Sequence, residues 1–160
     1  MKTCAMIAGN ANKKDMIPHL FFDQLDILYW DYGVHCLISG VHRGMELESL
    51  SCLVAKKHRY PKLEIEGFFT HEEEASSWLE EERETLYRII SQCSREVILR
   101  PVYGSEMRFQ RNIMMMDLAD VILLLGRDRE TEFWAAKMKK PMIRLDMKNR
   151  KLIPEIRLYR

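Results

Sequence analysis

The chain has 160 residues, 47% of them hydrophobic and 31% charged, enough apolar material for one core and no tract polar enough to stay disordered. Its 25 Lys and Arg oppose 24 Asp and Glu for a formal net charge of +1. No global field therefore draws it to nucleic acid or to a membrane surface, and any anion site has to be local. The longest apolar stretch, VILLL at 121–125, is far below the roughly 20 residues that span a bilayer. The amino terminus MKTCAMIAGNANKK has neither the apolar length nor the small-residue cleavage site of a signal peptide. Cys4, Cys36, Cys52 and Cys93 show no C-x-x-C pair and no zinc or disulfide spacing. These features lead us to expect a cytoplasmic protein with free thiols, no metal and no cofactor.

In chain order, residues 2–8 read as a strand ending at Gly9. Residues 17–32 follow as a helix, with Leu20, Phe21, Leu25, Leu28 and Tyr29 at helical spacing and Gly33 as its C-cap. Residues 35–39 make a second strand, and 46–58 a helix stopped by Tyr60-Pro61. A third strand spans about 63–69. A long helix over 72–93 comes next, its acidic start HEEEASSWLEEERE suiting the positive end of the dipole. Strand 96–99, loop RPVYGSEM, helix 108–118, strand 120–125, helix 131–140 and strand 142–145 complete the series. A single domain over 1–147 thus precedes a basic tail, 148–160, expected to pack loosely or at an interface.

This alternation predicts an α/β fold: a three-layer, doubly wound, mainly parallel sheet of Rossmann-like type with helices on both faces. Ligands of such sheets bind at the carboxyl ends of the strands, near the point where the strand order reverses. The chemistry is therefore expected on loops 9–12, 39–46, 69–72, 101–107 and 126–131.

In LISGVHRGMELESL, residues 37–50, Gly40 and Gly44 bracket three residues between a strand and a helix. Such a turn leaves backbone N–H groups at a helix N-terminus, a site for phosphate or carboxylate. The same spacing also serves purely steric turns, and the residues alone leave both readings open.

The segment resembles the ISGMALGVDLWAAE-type motif of the YpsA/YoqJ-like proteins of the SLOG superfamily, with Ile38, Ser39, Gly40, Gly44, Met45, Glu46 and Leu47 in matching places. A second match runs through MRFQRNIMMMDLADVILLL, where Arg111, Asn112, Met116, Asp117 and Asp120 fill the family's positions; Tyr60, Pro61 and Trp78 extend it between the two. The resemblance implies a Rossmann-like domain related to DNA-processing DprA, to cytokinin-activating LOG enzymes and to sensors of nucleotide-derived ligands. Two loops depart from the pattern. Gly9-Asn10-Ala11-Asn12 stands where relatives show Gly-His-Arg-Pro, and GRDRETEFW replaces a Gly-Gly-Thr turn, keeping Thr131. Asp128 or Glu130 would oppose a phosphate there, whereas Arg127 or Arg129 would favour one.

The candidate ligand residues are accordingly Gly9, Ser39, Gly40, His42, Arg43, Gly44, Glu46, Arg111, Asn112 and Thr131. Arg43 could grip a phosphate and His42 carry a proton, or both could simply project into solvent. Glu46 could accept from a ribose hydroxyl or only complement its helix dipole. Asp117 and Asp120 read as local structure, Met114 to Met116 as adaptable core filler, and Tyr29, Trp30, Phe68, Phe69, Trp78 and Trp134 as core or dimer contacts.

Catalytic signatures are missing: no G-x-S-x-G, no H-E-x-x-H, no Walker lysine, and no LOG-type glycine loop. The favoured expectation is non-catalytic binding or sensing of a nucleotide or nucleotide-sugar. The alternatives are an N-glycosidic-bond enzyme, with Glu46, Glu72 or Glu130 as carboxylate nucleophile, and single-stranded DNA binding through Arg43, Arg111 and the tail. The architecture is compatible with a homodimer, with no membrane partner and nucleic acid disfavoured.

Overall fold

The computed structural model describes residues 2–100, 104 and 106–149, and the backbone of 151–153. Seven strands form one sheet: β1 (Lys2–Ala8), β2 (Val34–Gly40), β3 (Glu64–His71), β4 (Arg95–Arg100), β5 (Val121–Leu125), β6 (Met142–Asp146) and β7 (Lys151–Ile153), in the order β4-β3-β2-β1-β5-β6-β7. Every neighbouring pair is parallel except β6 and β7, which are antiparallel. The sheet grows outward from β1 through β2 and β3 to β4, and the chain then returns to lay β5 on the other side of β1. That reversal is the topological switch point.

Among the described residues five α-helices cover the sheet: α1 (Pro18–Asp26), α2 (Met45–Ala55), α3 (Glu80–Ile90), α4 (Met107–Leu118) and α5 (Arg129–Lys137). Their sides follow from the two-residue period of the strands. Cys4, Met6 and Ala8 of β1 share one apolar layer with Phe21 of α1, Leu50 of α2 and Leu86 of α3. Ala5 and Ile7 point the opposite way, into a layer with Met115 and Met116 of α4 and Ala135 of α5. Strands buried on both faces must be apolar throughout, and β5, VILLL, meets that demand. The three-layer doubly wound expectation is borne out. Among the described residues no helix is long and apolar enough to cross a membrane.

Three elements differ from the sequence-based expectation. The helix expected over 72–93 forms only as Glu80–Ile90, and residues 72–77 are turns. A continuous helix would leave Glu74 and Trp78 on its own surface, whereas both are buried. Glu74 accepts hydrogen bonds from Thr70 Oγ1 at 2.7 Å and Thr70 N at 3.4 Å, which folds the segment back on β3. The dipole-complementing acids are therefore Glu80, Glu81 and Glu82, not the earlier run. The helix expected over 17–32 ends its α-helical part at Asp26 and continues as a π-helical turn, Ile27–Asp31, closed by Tyr32 N–H donating to Ile27 O at 3.1 Å. Finally, Lys151–Ile153 of the basic tail add β7 to the sheet edge. Residues 154–160, and Pro101, Val102, Tyr103 and Ser105 of the expected loop, lie outside the described residues.

Candidate functional site

Two groups of residues meet at the carboxyl edge of the sheet. The first is built around Gly40, the last residue of β2. A methyl group there would collide with the Arg111 guanidinium and stand 2.5 Å from Glu46 Oε2. The missing side chain is thus a notch through which Arg111, on α4 below the sheet, reaches Glu46, on α2 above it. Arg111 Nη2 donates to Glu46 Oε1 at 2.5 Å, with side chains 0% and 2% exposed. Glu46 Oε2 accepts the His42 N–H at 2.9 Å, so the carboxylate occupies the N-terminal end of its own helix. Asn112 Oδ1 accepts from Arg111 Nε at 3.3 Å and Nη2 at 3.1 Å. Arg108 adds a more distant cation, 3.9 Å from Glu46 Oε1.

The turn that delivers α2 depends on Gly44, whose φ of 104° and ψ of −138° suit only glycine. Beyond it, His42 packs edge-on against Trp78 at 5.5 Å, and its Nδ1 lies 3.8 Å from Glu74 Oε1. Burial alone would raise the Glu74 carboxyl, but His42, the Thr70 hydroxyl and the charge of Arg111 outweigh it and hold it below the usual carboxylate range. Among the described residues, Arg111 Nη1, His42 Nδ1 and Glu74 Oε2 are buried without a hydrogen-bond partner. One donor, one acceptor and one imidazole nitrogen are therefore left with unused capacity.

The second group lies at the switch point. Gly9 N–H donates to Leu125 O and Asn10 N–H to Arg127 O, each at 2.9 Å. Arg127 N–H returns a bond to Asn10 Oδ1 at 2.7 Å. These bonds stitch the loop after β1 to the loop after β5. Beside them opens a crevice of about 220 Å³ lined by Asn10, Ala11, Asp15, Met45, Gly126 and Arg127, and by residues 146–149. The start of α5 carries Asp128, Glu130 and Glu132, with the Thr131 hydroxyl donating to Asp128 Oδ2. Glu132 is paired with Arg127 and Arg144, Arg129 is the first residue of the helix, and the threonine is committed.

Of the ten sequence-derived candidates, Gly40, His42, Glu46, Arg111 and Asn112 are brought into contact. Gly44 shapes their turn, and Ser39 is buried with its hydroxyl donating to Gly40 O at 2.7 Å. Arg43 points outward to Glu82 at 3.6 Å. Gly9 and Thr131 belong to the switch-point loops instead. Sequence reasoning missed Thr70 and Glu74: the latter is one acid in a run of three, with no local feature setting it apart. It also missed Asp15, Asp146, Lys148 and Asn149, which reach the crevice only through the strand order. Met45 lines the crevice while its neighbour Glu46 holds Arg111, so consecutive residues of α2 join the two groups.

A parallel sheet reversed between β1 and β5, with charged loops and a crevice at that point, defines a Rossmann-like α/β domain. A family model described as "YspA SLOG family" matches residues 6–158. The chain belongs to this SLOG family, YpsA, which places it among nucleotide-related Rossmann-like domains. No curated protein matches it.

Proposed function

We propose that the chain binds a nucleotide or nucleotide-derived ligand at the switch-point crevice, as a binding or sensing module. The observation that carries this reading is the position of the crevice, against the carboxyl ends of β1 and β5, where open parallel sheets take their ligands. Its 220 Å³ falls below the roughly 300–1,000 Å³ of sites that enclose drug-sized ligands. One nucleoside unit suits it better than an extended dinucleotide. Asp15 and Asp146, which also accept from Asn12 and Asn149, offer remaining acceptor capacity to hydroxyl or amino groups. Lys148 and Arg127 stand exposed beside them as cations for a phosphate, Arg127 exchanging its surface ion pair with Glu132 at 3.2 Å for the ligand. At the start of α5 the Thr131 hydroxyl is already given to Asp128, which favours these exposed cations over that helix end.

Binding is favoured over catalysis because the buried reactive groups are otherwise engaged. Glu46 is held by Arg111 and the His42 N–H, and burial pushes the Cys4 thiol up to about 12, where it is no nucleophile at neutral pH. The test is calorimetry and thermal shift with nucleosides, nucleoside monophosphates, ADP-ribose, NAD and cyclic dinucleotides. A mononucleotide-sized member should raise the melting temperature, and Arg127→Ala with Lys148→Ala should weaken the phosphorylated ligand by roughly tenfold or more. A panel that leaves the melting temperature unmoved, or binding indifferent to both substitutions, would sink the assignment.

A further inference from the structure

Within the described residues, β4 pairs only with β3 and forms one edge of the sheet. β4 runs for six residues, REVILR, without proline, lysine or bulge, and presents Ile98 at 47% exposure. Beside it, α3 leaves a groove of about 450 Å³ in which Glu96 and Ile98 face Arg83, Leu86, Tyr87 and Ile90. Tyr87 is 66% exposed. A bare strand edge flanked by an apolar groove calls for a strand from elsewhere.

The charges of β4 select the occupant. We propose that β4 pairs antiparallel with β4 of a second copy, about a two-fold axis through Ile98. In that register Glu96 of each copy faces Arg100 of the other, Val97 faces Leu99, and Ile98 faces its own counterpart. Both charged pairs are of opposite sign and the pairs between them are apolar, with Arg95 left outside the paired segment 96–100. Neighbouring registers lack this match. Opposed residues of an antiparallel pair share a face, so the axis can move only by whole residues. At Val97 it puts Arg95 against Leu99 and Glu96 against Ile98, and at Leu99 it puts Ile98 against Arg100. The strand is self-complementary in one register, as a closed isologous interface requires. The α3 helices of the two copies then flank the joined strands on one face, and Tyr87 extends the contact beyond the strand edge.

The axis stands perpendicular to the sheet, so the carboxyl edges of the two copies point in opposite directions and each crevice remains a single-chain site. Dimerisation and ligand binding are therefore separable. Sedimentation velocity of the full chain at micromolar concentration should show a species of twice the 19.1 kDa chain mass. Ile98→Lys should convert it to monomer with a native circular dichroism spectrum and an intact nucleotide response. Glu96→Arg and Arg100→Glu should each give monomer, and the double exchange, which restores opposite charges across the axis, should recover the dimer. A wild-type monomer, a dimer that survives Ile98→Lys, or a double variant that stays monomeric overturns the proposal.

Discussion

Arg111 and Glu46 tie the two helical layers together across the end of β2, and neither has water to fall back on. Removing one partner of such a pair leaves a buried charge uncompensated, which costs about 3–5 kcal/mol, whereas replacing both with apolar groups costs much less. Urea unfolding should show Glu46→Ala losing stability on that scale. The double variant Glu46→Leu/Arg111→Met should lose clearly less than the sum of its single changes. Glu74 adds a pH dependence. Its folded-state pKa is lowered from 4.5, so its contribution is complete above the ordinary carboxylate value and is lost as pH falls through the lower folded value. Stability measured against pH should therefore fall less steeply on the acid side for Glu74→Gln than for the native chain.

Gly44 shows at the scale of an element why the loop before α2 needs its second glycine. No heavy atom lies within 4 Å of where a Cβ would stand, so space is not the constraint. The backbone, at φ 104° and ψ −138°, is the constraint, and a side chain there costs about 1–3 kcal/mol of strain. Gly44→Ala should lower the melting temperature without a steric clash, and its effect should add independently to a core change in the layer on the other face of the sheet such as Ile122→Ala. Gly40 in the same loop is the contrasting case, limited by the guanidinium beside it rather than by its dihedral angles. In the segment before α3 the acids favour a helix start, but Glu74 is drawn to Thr70 and Trp78 into the core.

Across the whole molecule, protection should follow the sheet order. β1 lies at the centre, paired on both sides and buried from Cys4 to Ala8, with β5 beside it. β7 sits at an edge with one partner. Native-state hydrogen exchange should be slowest in β1 and β5 and fastest in β7; comparable rates in all three would contradict the layered core described above.

The alternation of strands and helices, the buried character of VILLL and the turn between Gly40 and Gly44 were all legible in the sequence, because period and backbone constraint are local properties. The 37–50 and 107–125 segments were each legible as a resemblance to the family, with no sign in the sequence that they touch. The tertiary structure decided what those residues touch. It showed that Gly40 makes room for Arg111, that Glu46 fills its own helix end, and that Glu74 alone among neighbouring acids is buried. It also placed Asp15, Asp146 and Lys148 around one crevice, since residues more than a hundred positions apart become neighbours only when β1, β5 and β6 are laid side by side. Contacts of that kind depend on strand order, which no local pattern encodes.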